Sequence, residues 1–385
     1  MHREVAIVGV GTSQFSPTTP DLAFEELMFE AALKAYNDAG IEPREDIDAI
    51  VTCAEDYWEG ISIFDEYVPD QLGGVLKPVF TVSADGLWGI INAYMLIKTG
   101  HFDIVVVEAH SKASDILTFM DIWRFAFDPV YHRPLVDNPY IIAAMEMNRF
   151  MYETVTTREQ ISMVISKNKR NALLNPLASY GTIIDPVQVE ESEVIAEPLR
   201  KLDISPLVDG AIVMVLAAEE VAKKLTDKLV WIKGVGWASH TPWIEEWDMV
   251  TPTHAVLASR MAYRMAGIDE PARYIDFAEI DDRFAYKELQ FMEALGLAKY
   301  GEAGTMIEDG VTEIHGELPI NPSGGYLGIG YPLEAGGLLK ALEVVLQLRE
   351  EAGKRQLKDV ENGLAMAWRG IPTASSAVVI FSKTL

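Results

Sequence analysis

The sequence predicts an α/β protein built from two similarly organised halves with a helical insertion between them. Three observations carry this. Short apolar runs alternate with helix-period segments along almost the whole chain. The order of these elements before residue 110 recurs after residue 228. The stretch between is richer in helix-forming and polar residues. With 385 residues, 49% of them hydrophobic, the chain can bury one large core or two fused ones.

The first half opens on an apolar strand, Val5–Val10, ending in Gly9-Val10-Gly11. Gln14 stands where a G-x-G-x-x-G fingerprint needs its last glycine, so no dinucleotide site is assigned there. Thr19-Pro20-Asp21 offers a cap, a proline and an acidic first turn for a helix. Leu22, Leu27, Ala31, Leu33 and Tyr36 form its expected apolar stripe, and Gly40 stops it. Further strands are expected at Ile47–Thr52, Pro78–Val82 and Ile104–Glu108, with a helix from about Gly86 to Lys98.

In the insertion, Tyr140–Thr154 and Arg158–Leu174 read as helices, and Asp209–Ala217 reads as a buried strand returning to the first half. The second half follows with a strand at Leu229–Val235, a helix at His254–Ala266, a strand at Tyr274–Glu279 and a helix at Tyr286–Leu297. After the turn at Pro319–Gly325 come a long helix from about Glu334 to Glu351 and strands at Leu364–Trp368 and Ala377–Phe381. The expected division is residues 1–110 with 207–227, an inserted cap over 111–206, and a second half over 228–385.

Composition excludes several classes of function. The formal charge of −26 repels phosphate backbones, so no nucleic-acid partner is expected. No apolar run reaches the roughly 18 residues of a membrane span, and residues 1–10 lack the pattern of a secretory signal. A soluble, cytoplasmic protein is expected. Cys53 is the sole cysteine and the seven histidines show no paired spacing, so neither a disulfide nor a metal site is expected.

Local signatures add a family. Asp209-Gly210-Ala211 opens a strand after the cap, Asn321-Pro322-Ser323-Gly324-Gly325 has the form NxxGG, and Gly330-Tyr331-Pro332 follows it. Together with the doubled plan and the cap, these resemble the thiolase superfamily over essentially the full chain. The archaeal thiolases and those associated with sterol carrier protein are most similar. The resemblance implies a five-layered αβαβα arrangement, coenzyme A as part of the substrate with no tightly bound cofactor, and a homodimer or heteromer. Dimers of this fold usually form through the strand leading into the catalytic elbow, and archaeal-type relatives assemble with a small OB-fold and zinc-ribbon partner.

The catalytic residues that the resemblance implies are replaced. The nucleophile's motif C-x-S-G corresponds to Ser83-Ala84-Asp85-Gly86. H-D-x-F corresponds to Asp281-Asp282-Arg283-Phe284, and the histidine of GHP to Tyr331. The region of a second cysteine, Trp368-Arg369-Gly370-Ile371-Pro372-Thr373, holds no thiol. Ser83 keeps the nucleophile's place, yet a hydroxyl needs a strong adjacent base; the other reading is that it caps the helix. Asp281 would repel an oxyanion unless protonated beside Asp282 or paired with a basic side chain such as Arg283.

Tyr331 is the most suggestive change. The superfamily includes aldolases of steroid side-chain breakdown that lack the cysteine and use tyrosines near former histidine positions. Tyr331 is therefore a candidate acid/base, with Asp281 or Asp282 positioning the substrate. Tyr326 lies in the same loop, and Tyr286 is near Asp281 in sequence. Lys167, Lys169 and Arg170, a rare basic cluster, are candidates for the phosphates of coenzyme A, an exposed helix face being the other reading. Ser323, Gly324 and Gly325 of the NxxGG turn are further candidates for cofactor contact.

Three functions are expected: retro-aldol cleavage of a β-hydroxyacyl-CoA, a degenerate subunit of a heteromeric thiolase or acyltransferase, or acyl transfer through Ser83.

Overall fold

A computed structural model describes residues 3–55, 63–371 and 374–385. The first half supplies strands β1 (Val5–Thr12), β2 (Ala49–Cys53), β3 (Val79–Val82) and β4 (Ile104–Ser111). β5 (Gly210–Ala218) joins them after the insertion. Their order is β3-β2-β4-β5-β1, with β2 parallel to β3 and β4, and β5 antiparallel to β4 and β1.

The second half repeats this with β6 (Val230–Ser239), β7 (Phe277–Glu279), β8 (Asn362–Arg369) and β9 (Ser375–Ser382) in the order β7-β8-β9-β6. β7 runs parallel to β8, and β9 antiparallel to β8 and β6. A single parallel bridge from Ala278 to Ile320 stands where β3 stands in the first half. The halves also meet edge to edge: Ala6 pairs with Trp231 and Ile7 with Val230, which makes one nine-stranded sheet among the described residues.

Side-chain alternation divides the core into layers. Ile212, Met214 and Leu216 of β5 face inward, as do Ala377, Val379 and Phe381 of β9. They pack on helices α2 (Gly86–Lys98) and α8 (Gly336–Leu348). The alternate residues Val213, Val215 and Ala217 face outward onto α1 (Phe24–Ala39). Val378 and Ile380 face outward to the core beneath α6 (Thr253–Ala266) and α7 (Ala285–Ala294). The result is helix, sheet, paired central helices, sheet, helix, as the α/β reading expects.

The repeated Gly-Val-Gly of β1 and β6 is a packing device. A Cβ on Gly11 would lie 2.2 Å from the Ala31 carbonyl of α1, and one on Gly236 would lie 2.0 Å from the Ala258 carbonyl of α6. Each half thus presses its first strand directly against its first helix. The Gly9-Val10-Gly11 turn is explained by packing, with no nucleotide needed.

The insertion carries α3 (Phe119–Phe125), α4 (Tyr140–Thr154) and α5 (Arg158–Ala172). Thr157 and Gln160 cap α5 reciprocally, at 3.2 and 2.9 Å. Met147, Phe150, Ile161 and Ile165 share one core with Phe284, Leu289 and Met366, so this segment packs on the second half.

One helix start is corrected. α1 begins at Phe24, where Glu26 accepts the Ala23 N–H at 2.8 Å. Thr19 is occupied elsewhere: its N–H and Oγ1 bind Asp209 at 2.9 and 2.7 Å. Leu22 falls before the helix and Leu33 on its outer face, so both are exposed, while Leu27, Ala31 and Tyr36 are buried as expected.

Replacing Gly236 by alanine puts a methyl group into helix backbone. The expected loss is about 2 kcal/mol or more of unfolding free energy by urea denaturation. An unchanged midpoint would contradict the close-approach account.

Candidate active site

The carboxyl ends of strands β2, β7 and β8 converge with the start of α2, and there the structure forms a cavity of about 100 Å³. Asp85, Arg283, Tyr331 and Glu334 line it, with Glu55 and Arg369, and Phe119, Trp123, Leu333, Trp368 and Ile371 supply apolar wall. Neither a histidine nor a thiol is among the described lining residues. Cys53 ends β2 beneath α2: a Cβ on Gly89 would lie 2.4 Å from its Sγ. Burial holds that thiol well above its usual range, so it stays protonated.

Tyr331 arrives on the loop before α8 and its hydroxyl accepts a hydrogen bond from the Arg283 guanidinium. That guanidinium lies 4.2 Å from the centroid of the Tyr331 ring and also binds the carbonyls of Gly370 and Trp368. It has no carboxylate ion pair among the described residues. Burial raises the Tyr331 hydroxyl well above the ordinary phenol range, against the opposing pull of Arg283. Tyr331 is therefore a proton donor at neutral pH.

Asp85 caps α2 and faces the same cavity. Its Oδ1 accepts the Leu87 N–H at 2.9 Å and its Oδ2 the Gly337 N–H at 2.7 Å. One carboxyl thus ties together the starts of the two central helices. Burial pushes it up to about 7 even against these donors. An acid and a base with separated pKa values share one small space.

Several expected site residues are placed elsewhere. Ser83 is exposed and outside the cavity lining; the helix starts three residues later, and Asp85 does the capping. Asp281 is buried and turned from the cavity, with Oδ1 accepting the Arg283 N–H at 3.0 Å and Oδ2 the Trp368 N–H at 3.3 Å. Burial raises its pKa. The cavity is instead faced by its neighbour Arg283, whose charge suits an oxyanion.

Asp282 is a brace. It accepts Tyr326 N–H at 2.7 Å, Leu327 N–H at 3.2 Å, Asn168 at 2.9 Å and Lys340 at 2.9 Å. Tyr326 packs behind Tyr331, ring centroids 5.1 Å apart, and Tyr286 turns away to Glu146 at 2.7 Å.

The basic cluster is dispersed by its helix. Lys167 is buried and bound to Glu288 at 3.0 Å and the Ile320 carbonyl at 2.6 Å. Lys169 donates to the Leu327 carbonyl at 3.0 Å, whereas Arg170 is exposed and pairs with Glu313 at 2.5 Å. Adjacent helical positions point apart, so three consecutive-looking charges do not share one face. Ser323, Gly324 and Gly325 also stay out of the cavity. Ser323 N–H and Oγ bind Glu279 at 2.9 and 2.7 Å. Gly324, at φ +103°, packs on Ala172, and Gly325, at φ +59°, lies against the Asp282 carboxylate. The NxxGG turn is the scaffold that holds the Tyr331 loop.

Comparison with known proteins accords with this geometry. Residues 236–383 match the family described as thiolase C-terminal domain-like. The chain is 35% identical to an acetyl-CoA acetyltransferase of Methanothermobacter thermautotrophicus, over 99% of this chain and all of the relative. The chain belongs to the thiolase superfamily. Within that superfamily it is also 29% identical to a steroid side-chain-cleaving aldolase of Thermomonospora curvata, over 96% of each chain. Its fold resembles the structure of an Ltp2-ChsH2(DUF35) aldolase, with TM-score 0.84, 26% identity, and 99% of this chain and 98% of that chain covered.

Two cavity residues of this thiolase-like chain carried local signals that pattern reading passed over. Asp85 precedes Gly86-Leu87 as a helix cap would, and Arg283 fills the open position of H-D-x-F. Phe119 and Trp123 come from the cap by tertiary folding alone.

Asp282→Ala would leave Lys340 without its nearest carboxylate and two buried N–H groups unpaired. The expected cost is about 3–5 kcal/mol in denaturant unfolding; a loss below about 1 kcal/mol would contradict the brace.

Proposed function

We propose that this protein cleaves a carbon–carbon bond of a β-hydroxyacyl-CoA by a retro-aldol reaction that needs no cysteinyl intermediate. The observation that carries the reading is the Tyr331 hydroxyl held by Arg283 in a cavity lined, among the described residues, by neither thiol nor histidine. Likeness to the steroid side-chain-cleaving aldolase and to the Ltp2-ChsH2(DUF35) aldolase supports the reaction class.

In this reading Asp85, as carboxylate, takes the proton of the β-hydroxyl. The C–O bond becomes a carbonyl and the Cα–Cβ bond breaks. The electron pair passes to Cα and the thioester oxygen, where the Arg283 charge stabilises the enolate. Tyr331 protonates Cα and recovers its proton from Asp85. The products are an aldehyde or ketone and a shortened acyl-CoA, with every proton accounted for. Asp281 and Asp282 hold Arg283 and the Tyr331 loop in place and take no proton.

A second reading has a specific support. The aldolase structure that this fold resembles is named for two proteins. The chain would then act only with a partner, such as a small OB-fold and zinc-ribbon protein that helps bind coenzyme A. Purification from the native cell tests this: a stoichiometric partner, and cleavage only in its presence, would favour the heteromer. Half-buried residues along the edge strand β3 suit a homodimer in either case.

Tyr331→Phe is expected to lower kcat by about 10²–10⁴-fold with folding and CoA binding retained. Unchanged turnover would defeat the proposal. Asp85 must be ionised to act as base, so kcat/KM should rise with pH through about 7. Asp85→Asn should abolish that limb, and a limb that persists in this variant would remove Asp85 from the chemistry.

A further inference from the structure

The cavity also carries a statement about the substrate, which rests on the function proposed above. Its polar side holds Asp85, Arg283 and Tyr331. Rings line the cavity too, Phe119 and Trp123 from the cap and Trp368 from the second half. Trp123 is fixed at three points. Its indole N–H donates to the Ile371 carbonyl. It meets Phe119 edge-on at 5.7 Å and Tyr140 edge-on at 5.5 Å. Tyr140 in turn packs on Phe284 at 6.1 Å, and Phe284 on Trp368 at 6.2 Å. The wall is therefore continuous from the cap into the second half, and Trp123 is buried within it.

Such a wall does not yield to a long chain. The space is about 100 Å³. For comparison, a cavity of about 150 Å³ takes one benzene molecule, and sites for larger organic ligands run about 300–1,000 Å³. The reacting thioester and β-carbon already claim much of the volume beside Arg283 and Tyr331. We infer that the substrate is a short-chain β-hydroxyacyl thioester, and that Trp123, latched to Ile371, is the residue that excludes longer acyl groups and fused rings.

The wall singles out Trp123 as the side chain to cut. Trp123→Ala removes the indole and its latch, and opens the space toward Tyr140. Trp123→Phe loses the latch but keeps a ring in the wall, and serves as the conservative control.

The test uses the full chain, with any partner that co-purifies, and two readouts. Cleavage is followed with β-hydroxybutyryl-, β-hydroxyhexanoyl- and β-hydroxydecanoyl-CoA. Binding is measured by calorimetry with butyryl-, hexanoyl- and decanoyl-CoA, which lack the β-hydroxyl and cannot be cleaved. The wild-type chain should prefer the shortest member over the longest by at least about tenfold in both readouts. Trp123→Ala should bring that ratio close to one, and Trp123→Phe should largely retain it.

Equal or tighter binding of decanoyl-CoA by the wild type would overturn the inference. So would an unchanged ratio in Trp123→Ala with a native circular dichroism spectrum, or no binding of any member. Graded binding without cleavage would sink the retro-aldol reading and leave this inference standing. Cleavage indifferent to chain length would do the reverse.

Discussion

The hydrogen bond from Arg283 to the Tyr331 hydroxyl is the contact on which the rest of the site depends. It places a positive charge, without a carboxylate ion pair among the described residues, beside a phenol in a small, mostly apolar space, where charge interactions act strongly. Keeping Arg283 there requires Asp281 to hold its backbone and the carbonyls of Trp368 and Gly370 to receive its guanidinium. Keeping Tyr331 there requires the buried Asp282 and Lys340 brace beneath its loop. Arg283 and Tyr331 are thus held as a pair, and their neighbours orient them.

The doubled fold explains why the pair meets Asp85. The two central helices begin side by side, and the carboxyl of Asp85 accepts an N–H from the first turn of each. A group at that junction is buried by both halves at once, and burial is what lifts its pKa toward neutrality. The close packing of strand on helix, seen at Gly11 and again at Gly236, is the same economy of space used on the outer faces.

Much of the architecture was legible in the residues. Apolar runs such as Ile104–Glu108 and Asp209–Ala217 are buried strands, and helices α2 and α4 end close to Gly100 and at Thr154, as their patterns suggest. The helix start at Thr19 was misread because a Thr-Pro-Asp cap signal is local, while Asp209, far along the chain, recruits Thr19 for another purpose. The basic run Lys167–Arg170 misled for a similar reason. Sequence adjacency shows charge but not direction, and the helix sends Lys167 and Lys169 into the interior to meet Glu288 and the Leu327 carbonyl. At the site, Tyr331 could be singled out by its place after the NxxGG turn. Asp281 and Ser83 do not line the cavity; Arg283 and Asp85, each two residues further along, face it instead, while Asp281 is turned to the backbone N–H groups of Arg283 and Trp368. The cap's contribution, Phe119 and Trp123, has no signature short of the folded chain.

The central claim is that thioester chemistry in this protein is organised around Tyr331 and Arg283. The most direct measurement is a crystal structure with the amide analogue of β-hydroxybutyryl-CoA, whose carbonyl is a poor electron sink and resists cleavage. The account predicts its β-hydroxyl within hydrogen-bonding distance of Asp85 or Tyr331 and its carbonyl oxygen against the Arg283 guanidinium. An analogue bound with its carbonyl at Ser83 on the outer surface, or one that leaves the cavity empty, would contradict it.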